Sequence, residues 1–414
     1  MSRPLLEIED LTIRYETDGG DLTAVSNASF SVDEGEFFGL AGESGSGKST
    51  TAKAIIGGLD DNGWIDGGTI RYRGEEIQDF TDKELNEKLR WKEVSWIPQS
   101  SMNSLDPLQR VSEQALEIGR VHTDLSNEAI REKLKEMFDV VGLQQSRIDD
   151  YPHQFSGGMQ QRAIIALALF LEPSLVIADE PTTALDVIMQ DQIFKYLDRM
   201  KDDAEISLLL ITHDISVIFE SCDSVAIMHA SQIAERGSTT AVHDNPRHPY
   251  AFMFKEAFPD IREPSRDLEV IEGYPPELIG EVSSCSFTDR CPWAVEECHQ
   301  SAPPLEPVGD DDATHAASCF RSDEAYELYE RYGATDPSAE VEAEQGELRW
   351  PTTHRYSRST TWRNTSSRAP TSSICSCAAS RRRFRPSTAS RSPSRPTIRS
   401  PSSARAAVAR RRCC

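Results

Sequence analysis

The 414-residue sequence has few lysines, no cysteine in its first half and no long apolar run. None of its 9 cysteines precedes Cys222, so nothing suggests a secreted scaffold held by disulfides. The longest apolar run, residues 163–171, is far shorter than the ~20 residues that a membrane-spanning helix needs. The N-terminus lacks the apolar stretch of a signal peptide. These absences predict a soluble, cytosolic protein that reaches a membrane only through a partner.

Basic residues are scarce outside the C-terminal tail. Residues 1–350 hold 29 basic and 68 acidic side chains, and only ten of the basic ones are Lys. This composition resembles the proteins of salt-loving archaea, in which concentrated salt screens the repulsion between carboxylates; an ordinary acidic protein is the alternative. The negative charge disfavours nucleic-acid binding by the main body, because phosphates need cationic partners.

Alternating and apolar segments predict a mixed α/β fold with a parallel sheet. Predicted strands cover residues 5–15, 28–32, 36–41, 175–177 and 207–211, and predicted helices cover residues 49–56, 81–91 and 127–141. The composition divides the chain into three parts. We expect a nucleotide-binding domain over residues 4–258 and a smaller module with four cysteines over residues 259–325, joined through a Pro-rich stretch. Residues 326–414 form an acidic linker and an Arg/Ser/Pro-rich tail without periodicity.

A glycine-rich segment between a predicted strand and a predicted helix fits the phosphate-binding pattern G-x-x-x-x-G-K-S. Glycines let backbone N–H groups close on phosphates at the positive end of a helix. Lys48 is predicted to neutralise the β- and γ-phosphates of ATP, and Ser49 to ligate Mg²⁺. The predicted phosphate-binding residues are Gly42, Ser44, Gly45, Gly47, Lys48, Ser49 and Thr50.

Two adjacent carboxylates end a wholly apolar predicted strand. Asp179 is predicted to hold Mg²⁺ through water, and Glu180 to orient or deprotonate the attacking water. An acidic pair at a strand end can also be a simple cap. The sequence Pro181-Thr182-Thr183-Ala184-Leu185-Asp186 that follows directly favours the catalytic interpretation.

The segment Phe155-Ser156-Gly157-Gly158-Met159-Gln160-Gln161-Arg162, in which Ser156 lies 23 residues before Asp179, resembles the signature of the ABC ATPases. The resemblance implies a P-loop core with an antiparallel β-subdomain and a helical subdomain around residues 100–160. It also implies that Ser156, Gly157 and Gly158 face the γ-phosphate bound by an opposite subunit. Other residues match family positions: Gln99 (Mg²⁺ and permease sensing), Asp186 (dimer interface), His213 (γ-phosphate switch) and Tyr15 (adenine stacking).

Segments downstream resemble one branch of that family, the ATPases of oligopeptide, dipeptide and nickel importers. They are Arg247-His248-Pro249-Tyr250, Gly273-Tyr274-Pro275-Pro276 and Ser101-Met102-Asn103-Ser104-Leu105-Asp106-Pro107. The resemblance implies a second, distinct ATPase subunit, two membrane permeases and an extracellular solute-binding protein. The chain would then sit peripherally on the cytoplasmic face of the membrane. Peptides, nickel and sugars all remain open as substrates.

Four cysteines cluster in the predicted second module: Cys285, Cys291, Cys298 and Cys319. Clustered thiols in a reducing compartment suggest a metal rather than disulfides. Some members of the same branch carry a [4Fe–4S] cluster here, which four thiolates fit. Structural zinc and unliganded thiols remain alternatives.

The tail, residues 351–414, contains fifteen Arg and no acidic residue. It could be a basic arm for RNA or anionic lipid. With suitable codons, however, a one-base shift of residues 402–414 yields V-G-E-S-G-C-G-K-T-T-L, a second phosphate-binding loop. We therefore predict out-of-frame translation of a neighbouring ATPase.

Two non-transport functions are alternatives to import. ABC proteins of DNA maintenance place a long coiled coil between the phosphate loop and the signature, and the 108 residues from Lys48 to Ser156 exclude it. An ABC translation factor remains an alternative that the His248-Pro249-Tyr250 module and its cysteines disfavour.

Overall fold

The computed structural model describes residues 4–99, 104–181, 187–204, 206–257, 271–276, 278–309, 314–325 and 327–329. The predicted tail, the Pro-rich stretch up to residue 270 and the branch segment 101–103 lie outside these ranges. No described helix is long and apolar enough to cross a membrane.

The described chain contains two sheets. The strands are β1 (Leu6–Thr17), β2 (Gly20–Val32), β3 (Phe37–Gly42), β4 (Gly63–Tyr72), β5 (Glu75–Glu76), β6 (Val94–Ile97), β7 (Leu175–Asp179), β8 (Ser207–Thr212), β9 (Ser224–His229), β10 (Gln232–Ser238), β11 (Glu306–Pro307) and β12 (Ala316–Ala317). The larger sheet has the order β11-β12-β10-β9-β3-β8-β7-β6, and the smaller one β2-β1-β4-β5. The smaller sheet is antiparallel, and the strands from β6 to β9 in the larger one are parallel. The predicted α/β class and antiparallel subdomain are confirmed.

The helices are α1 (Lys48–Ile55), α2 (Asp82–Glu84), α3 (Val111–His122), α4 (Asn127–Val140), α5 (Gly157–Leu169), α6 (Val187–Ala204), α7 (Ile215–Ser221), α8 (Thr239–Asp244), α9 (Pro249–Glu256) and α10 (Glu296–Gln300). Helices α3, α4 and α5 pack together as the predicted helical subdomain. In α4, Ile130, Leu134 and Phe138 recur every four residues and are buried, and Ser126 caps its first turn.

The predicted helix over residues 81–91 differs from the structure. Helix α2 contains a single turn, capped by Thr81 and Glu84, and continues as a π-helical turn, Leu85–Leu89. Arg90 follows this turn, and its side chain donates to the carbonyl oxygens of Ile56 (2.9 Å) and Gly57 (3.0 Å). Leu85 and Leu89 are buried, but their apolar spacing carries no information on the hydrogen-bond register.

The central strands are buried on both faces. Every residue of β3, β7 and β8 is buried, as expected of parallel strands between two layers. One core joins the sheet to the helical subdomain, and a second joins it to the antiparallel sheet and α1. Because parallel strands end at the same edge, the loops after β3, β7 and β8 meet there.

The predicted second module completes the sheet of the first. Strand β12 pairs with β10, and β11 pairs with β12. Buried Glu235 on β10 contacts the His315 imidazole at 2.7 Å, and it also accepts the backbone N–H groups of Arg247 and His248. These bonds attach the segment that contains β11 and β12 to the core.

Candidate functional site: a phosphate loop and an acidic strand end

The predicted phosphate loop connects β3 to α1 and depends on glycine at two positions. Gly42 and Gly47 have φ values of 145° and 103°. A Cβ on Gly42 would lie 2.1 Å from the carbonyl oxygen of Met228, and one on Gly47 would lie 2.3 Å from that of Ala24. The loop is therefore packed against two strands, and its close approach tolerates no side chain at either position.

Lys48, the first residue of α1, folds back over the loop. Its ammonium donates to the carbonyl oxygens of Gly42 (2.8 Å) and Glu43 (2.7 Å) and to Ser46 Oγ (3.2 Å). Burial lowers the pKa of Lys48 to about 8, although the carboxylates of Glu180, Asp179 and Glu43 oppose this shift. A bound polyphosphate would supply the countercharge that this buried cation needs.

We expect nucleotide binding at about pH 9 to be accompanied by proton uptake at Lys48. The free site is then partly deprotonated, whereas a bound polyphosphate favours the charged ammonium. Titration calorimetry in two buffers of different ionisation enthalpy measures the uptake. At about pH 7 the lysine is protonated in both states, so the uptake should vanish. Equal uptake at the two pH values would contradict this assignment.

Asp179 ends β7 beside the phosphate loop. The residue is 2% exposed, and its Oδ1 has no hydrogen-bond partner among the described residues. Burial raises the pKa of its carboxyl group, while a hydrogen bond from Ser49 and the charges of Lys48 and Lys53 lower it. A buried carboxylate oxygen without a donor, next to a Ser hydroxyl, fits a hard divalent cation such as Mg²⁺.

Glu180 and His213 meet although they lie 33 residues apart in sequence. The β7–β8 pairing brings the two strand ends together, and Glu180 N–H donates to Ile211 O (2.8 Å). Glu180 has a φ of 47°, and its Oε1 lies 2.9 Å from His213 Nδ1. The imidazole is about half exposed (54%), so the pair faces the open edge of the site. A carboxylate in this position can orient or accept a proton from water.

The signature residues begin helix α5. Ser156 is its exposed N-cap, and its side chain makes no capping hydrogen bond. Helix α5 is fastened to the acidic strand end because Gln161 Nε2 donates to Pro181 O. In the described chain no hydrogen bond joins Ser156, Gly157 or Gly158 to the phosphate loop. The helix N-terminus thus presents N–H groups that are available to an external anion.

The remaining predicted residues are less tightly placed. Tyr15, on β1, is partly buried, and its ring covers Gly63, where an added Cβ would lie 2.6 Å from Cε1. Gln99 is exposed two residues after β6. Ser44 and Gly45 are exposed, whereas Thr50 is partly buried in α1. Asp186 lies outside the described residues.

The sequence interpretation missed a contact between the phosphate loop and the C-terminal residues. Arg290 donates to both carboxylate oxygens of Glu43 (2.8 and 2.9 Å), and Glu43 N–H donates to Tyr250 Oη (3.1 Å). The segment Arg247-His248-Pro249-Tyr250 indicates a branch of the family, but it does not indicate that Tyr250 contacts the loop. Nothing in a single sequence signals that a residue 247 positions away pairs with the loop.

All four predicted cysteine ligands line one cavity, together with Phe287 and Trp293. None of them forms a disulfide, and Arg321 N–H donates to Cys319 Sγ (3.4 Å). Burial raises the pKa of Cys291 to about 12 and that of Cys319 to about 11. Within the described residues, no group of three or more His, Cys, Asp or Glu side chains has an arrangement that could hold a metal ion. The four thiols thus line the same cavity without being arranged as a metal site.

The fold and the loop match known proteins. A family profile described as "ABC transporter" matches residues 25–183. The solved ATP-binding cassette MJ0796, a dimer in a post-hydrolysis state bound to ADP and Pi, is 27% identical with a TM-score of 0.52. That match covers 56% of this chain and 98% of the cassette.

Curated relatives extend over the C-terminal residues. Oligopeptide transport ATP-binding protein OppD of Escherichia coli is 43% identical over 304 residues, 73% of this chain and 89% of the relative. OppD of Bacillus subtilis is 37% identical over 310 residues, 74% of this chain and 86% of the relative. The chain therefore belongs to the ATP-binding subunits of ABC transporters. A second profile, "Oligopeptide/dipeptide transporter, C-terminal region", matches residues 234–298 and narrows the class to that group.

Proposed function

We propose that this chain hydrolyses ATP to drive the import of dipeptides and oligopeptides. The observation that carries the proposal is the convergence of Lys48, Asp179 and Glu180 at the ends of strands β3 and β7. The names of the OppD relatives support peptides as the substrate class. Nickel or sugar import by the same kind of transporter is the alternative.

The residues divide the work as follows. Lys48 and the N–H groups of the loop bind the β- and γ-phosphates, and Tyr15 stacks on adenine. Ser49, Asp179 and Gln99 would hold Mg²⁺, and the ion would supply positive charge against the phosphates. Glu180 orients or deprotonates the attacking water. His213 contacts the γ-phosphate, and its Nδ1 atom contacts Glu180.

Each chain supplies two complementary half-sites. Within the described residues, no hydrogen bond joins an acidic side chain to the exposed N-terminus of α5. This supports a head-to-tail pairing in which Ser156, Gly157 and Gly158 cover the nucleotide of another subunit. Asp186 would cross that interface. The partner would be a related but distinct ATPase, and closure of the pair would act on two permeases at the cytoplasmic face, fed by a solute-binding protein.

Purification of the tagged full-length chain from detergent-solubilised membranes tests this assembly. We expect a second P-loop ATPase and two polytopic membrane proteins to co-purify with it. Co-purification with ribosomes instead would contradict the transport function and favour a translation factor.

The four thiols fit a [4Fe–4S] cluster in ligand chemistry, because they surround one cavity and at least Cys319 receives an N–H···S bond. Such a cluster would supply a covalent cross-link and a one-electron redox centre. Cys285, Cys291, Cys298 and Cys319 would bind it as thiolates. Burial raises the pKa values of Cys285, Cys291 and Cys319, so protons would leave these three thiols on loading. Four thiolates also suit zinc.

Anaerobically purified protein is expected to be brown and to contain about four iron atoms per chain. Cys291→Ser should lose most of the iron. Cys222→Ala is the matched control, because Cys222 is a buried free thiol in the main core that does not line the cavity. Four titratable thiols with neither iron nor zinc would overturn the cluster and the zinc alternative together.

A further inference from the structure

Glu43, the second residue of the phosphate loop, pairs with a charged residue that lies 247 positions away in the sequence. Arg290 Nη2 lies 2.8 Å from Glu43 Oε1, and Arg290 Nη1 lies 2.9 Å from Oε2. The arginine side chain is 6% exposed and the glutamate side chain 22% exposed. Bidentate, mostly buried pairs of this kind are geometrically specific, and each partner depends on the other for its charge balance.

Two further N–H groups of Arg290 also form hydrogen bonds. Nη1 also donates to His229 Nε2 at 3.0 Å, and Nε donates to the carbonyl oxygen of Glu272 at 3.0 Å. Burial, with a further contribution from Arg290, lowers the pKa of His229 to about 3, so the ring is neutral and can accept. The guanidinium is therefore held in one orientation before any nucleotide arrives.

Glu43 also contacts the phosphate-binding lysine, Lys48. The carbonyl oxygen of Glu43 accepts from Lys48 Nζ at 2.7 Å, and the backbone N–H of Glu43 is fixed by the buried Tyr250 hydroxyl. The Glu43 carboxylate also acts electrostatically on Lys48. An unpaired Glu43 would place a bare negative charge in the loop that receives a polyphosphate, and like charges repel strongly where water is partly excluded.

We propose that Arg290 is a positioning residue of the ATP site: it orients Glu43 and neutralises its charge, so that the loop accepts a polyphosphate. The proposal rests on the loop binding ATP, and it assigns to the C-terminal residues a direct part in nucleotide affinity. Arg290 ends the short helical turn Thr288–Arg290, in which the single Thr288 hydroxyl hydrogen lies between the carbonyl oxygens of Cys285 (2.8 Å from Oγ1) and Cys298 (3.0 Å from Oγ1). The turn that carries Arg290 therefore adjoins the cysteine cavity, because Thr288 lines that cavity.

The test compares ATP affinity and turnover in full-length variants. Arg290→Gln is expected to weaken ATP binding by about tenfold or more, with KM raised further than kcat is lowered. In the double variant Glu43→Gln/Arg290→Gln the uncompensated charge is gone, so affinity should return to within about threefold of the unaltered chain. Arg290→Lys keeps the positive charge but not the bidentate geometry, so its ATP affinity should lie between those of Arg290→Gln and the double variant.

Arg73→Gln is the matched control, because it removes an arginine that pairs with Glu34 in the antiparallel subdomain and should leave ATP affinity unchanged. Thermal unfolding checks that each variant is folded. If Arg290→Gln does not fold, the comparison of Arg290→Lys with the double variant decides. The proposal is overturned if a folded Arg290→Gln binds ATP as the unaltered chain does, or if the double variant binds no better than the single one. Failure of the unaltered chain to bind ATP would instead refute the proposed function.

Discussion

Glu180→Gln is expected to lower ATP turnover of the assembled transporter by about 10²- to 10⁴-fold and to leave ATP binding intact. The amide keeps the size of the side chain but can neither accept a proton from water nor hold its negative charge against His213. In the proposed head-to-tail pairing, hydrolysis would reopen the two subunits, so the variant should accumulate as an ATP-bound dimer. Steady-state phosphate release and size-exclusion chromatography with ATP measure the two effects.

Glu172→Gln provides a matched control for Glu180→Gln. Glu172 is also a glutamate with positive φ (53°), but it pairs with Lys133 on the surface. We expect its replacement to leave turnover unchanged. Unchanged turnover in Glu180→Gln, with the complex assembled, would remove Glu180 from the mechanism.

Asp179→Asn is expected to act in opposite directions on activity and stability. Without the carboxylate, the Mg²⁺-dependent turnover should fall by about 10²- to 10³-fold, since the charge on the phosphates is no longer balanced in place. The nucleotide-free chain should become more stable to heat. Its Asp179 carboxyl has a raised pKa, mainly through burial, so the ionised form is disfavoured in the fold and the neutral amide avoids that cost.

The pH dependence follows from the same shift. A carboxyl group with a raised pKa binds more protons in the folded state, so its stabilising contribution is lost as the pH rises through the folded pKa. The stability gain of Asp179→Asn should therefore be largest near neutral pH and shrink in acid. Asp149→Asn is the contrasting control, because a hydrogen bond from Arg131 lowers the pKa of Asp149. That variant should lose stability without losing turnover.

Much of the site could be predicted because its parts are local in sequence. The loop Gly42–Ser49 and the pair Asp179 and Glu180 each lie between a strand and its following loop, so the α/β rule that parallel strands share an edge brings them together. The meeting of Glu180 with His213 follows from the same rule. Apolar periodicity likewise predicted α4 to within one residue.

The contacts that could not be predicted join distant segments through single side chains. The Arg290–Glu43 pair has no periodicity and no motif, and neither does the contact of Glu235 with His315 that attaches the C-terminal residues to β10. Strands β11 and β12 join the main sheet by backbone pairing between distant segments, which the predicted division into two modules could not reveal. The π-helical turn at Leu85–Leu89 could not be predicted for a different reason: apolar residues four positions apart in the sequence suit an α-helix equally well.

ATP-driven peptide uptake is the most direct test of the function. The purified assembly of this chain with its co-purifying partners would be reconstituted in liposomes that contain ATP, and the accumulation of a radiolabelled tripeptide would be followed. We predict accumulation that requires ATP and is abolished by Glu180→Gln in this chain. ATP hydrolysis without accumulation of the tripeptide, while nickel or a sugar is accumulated, would contradict peptide import.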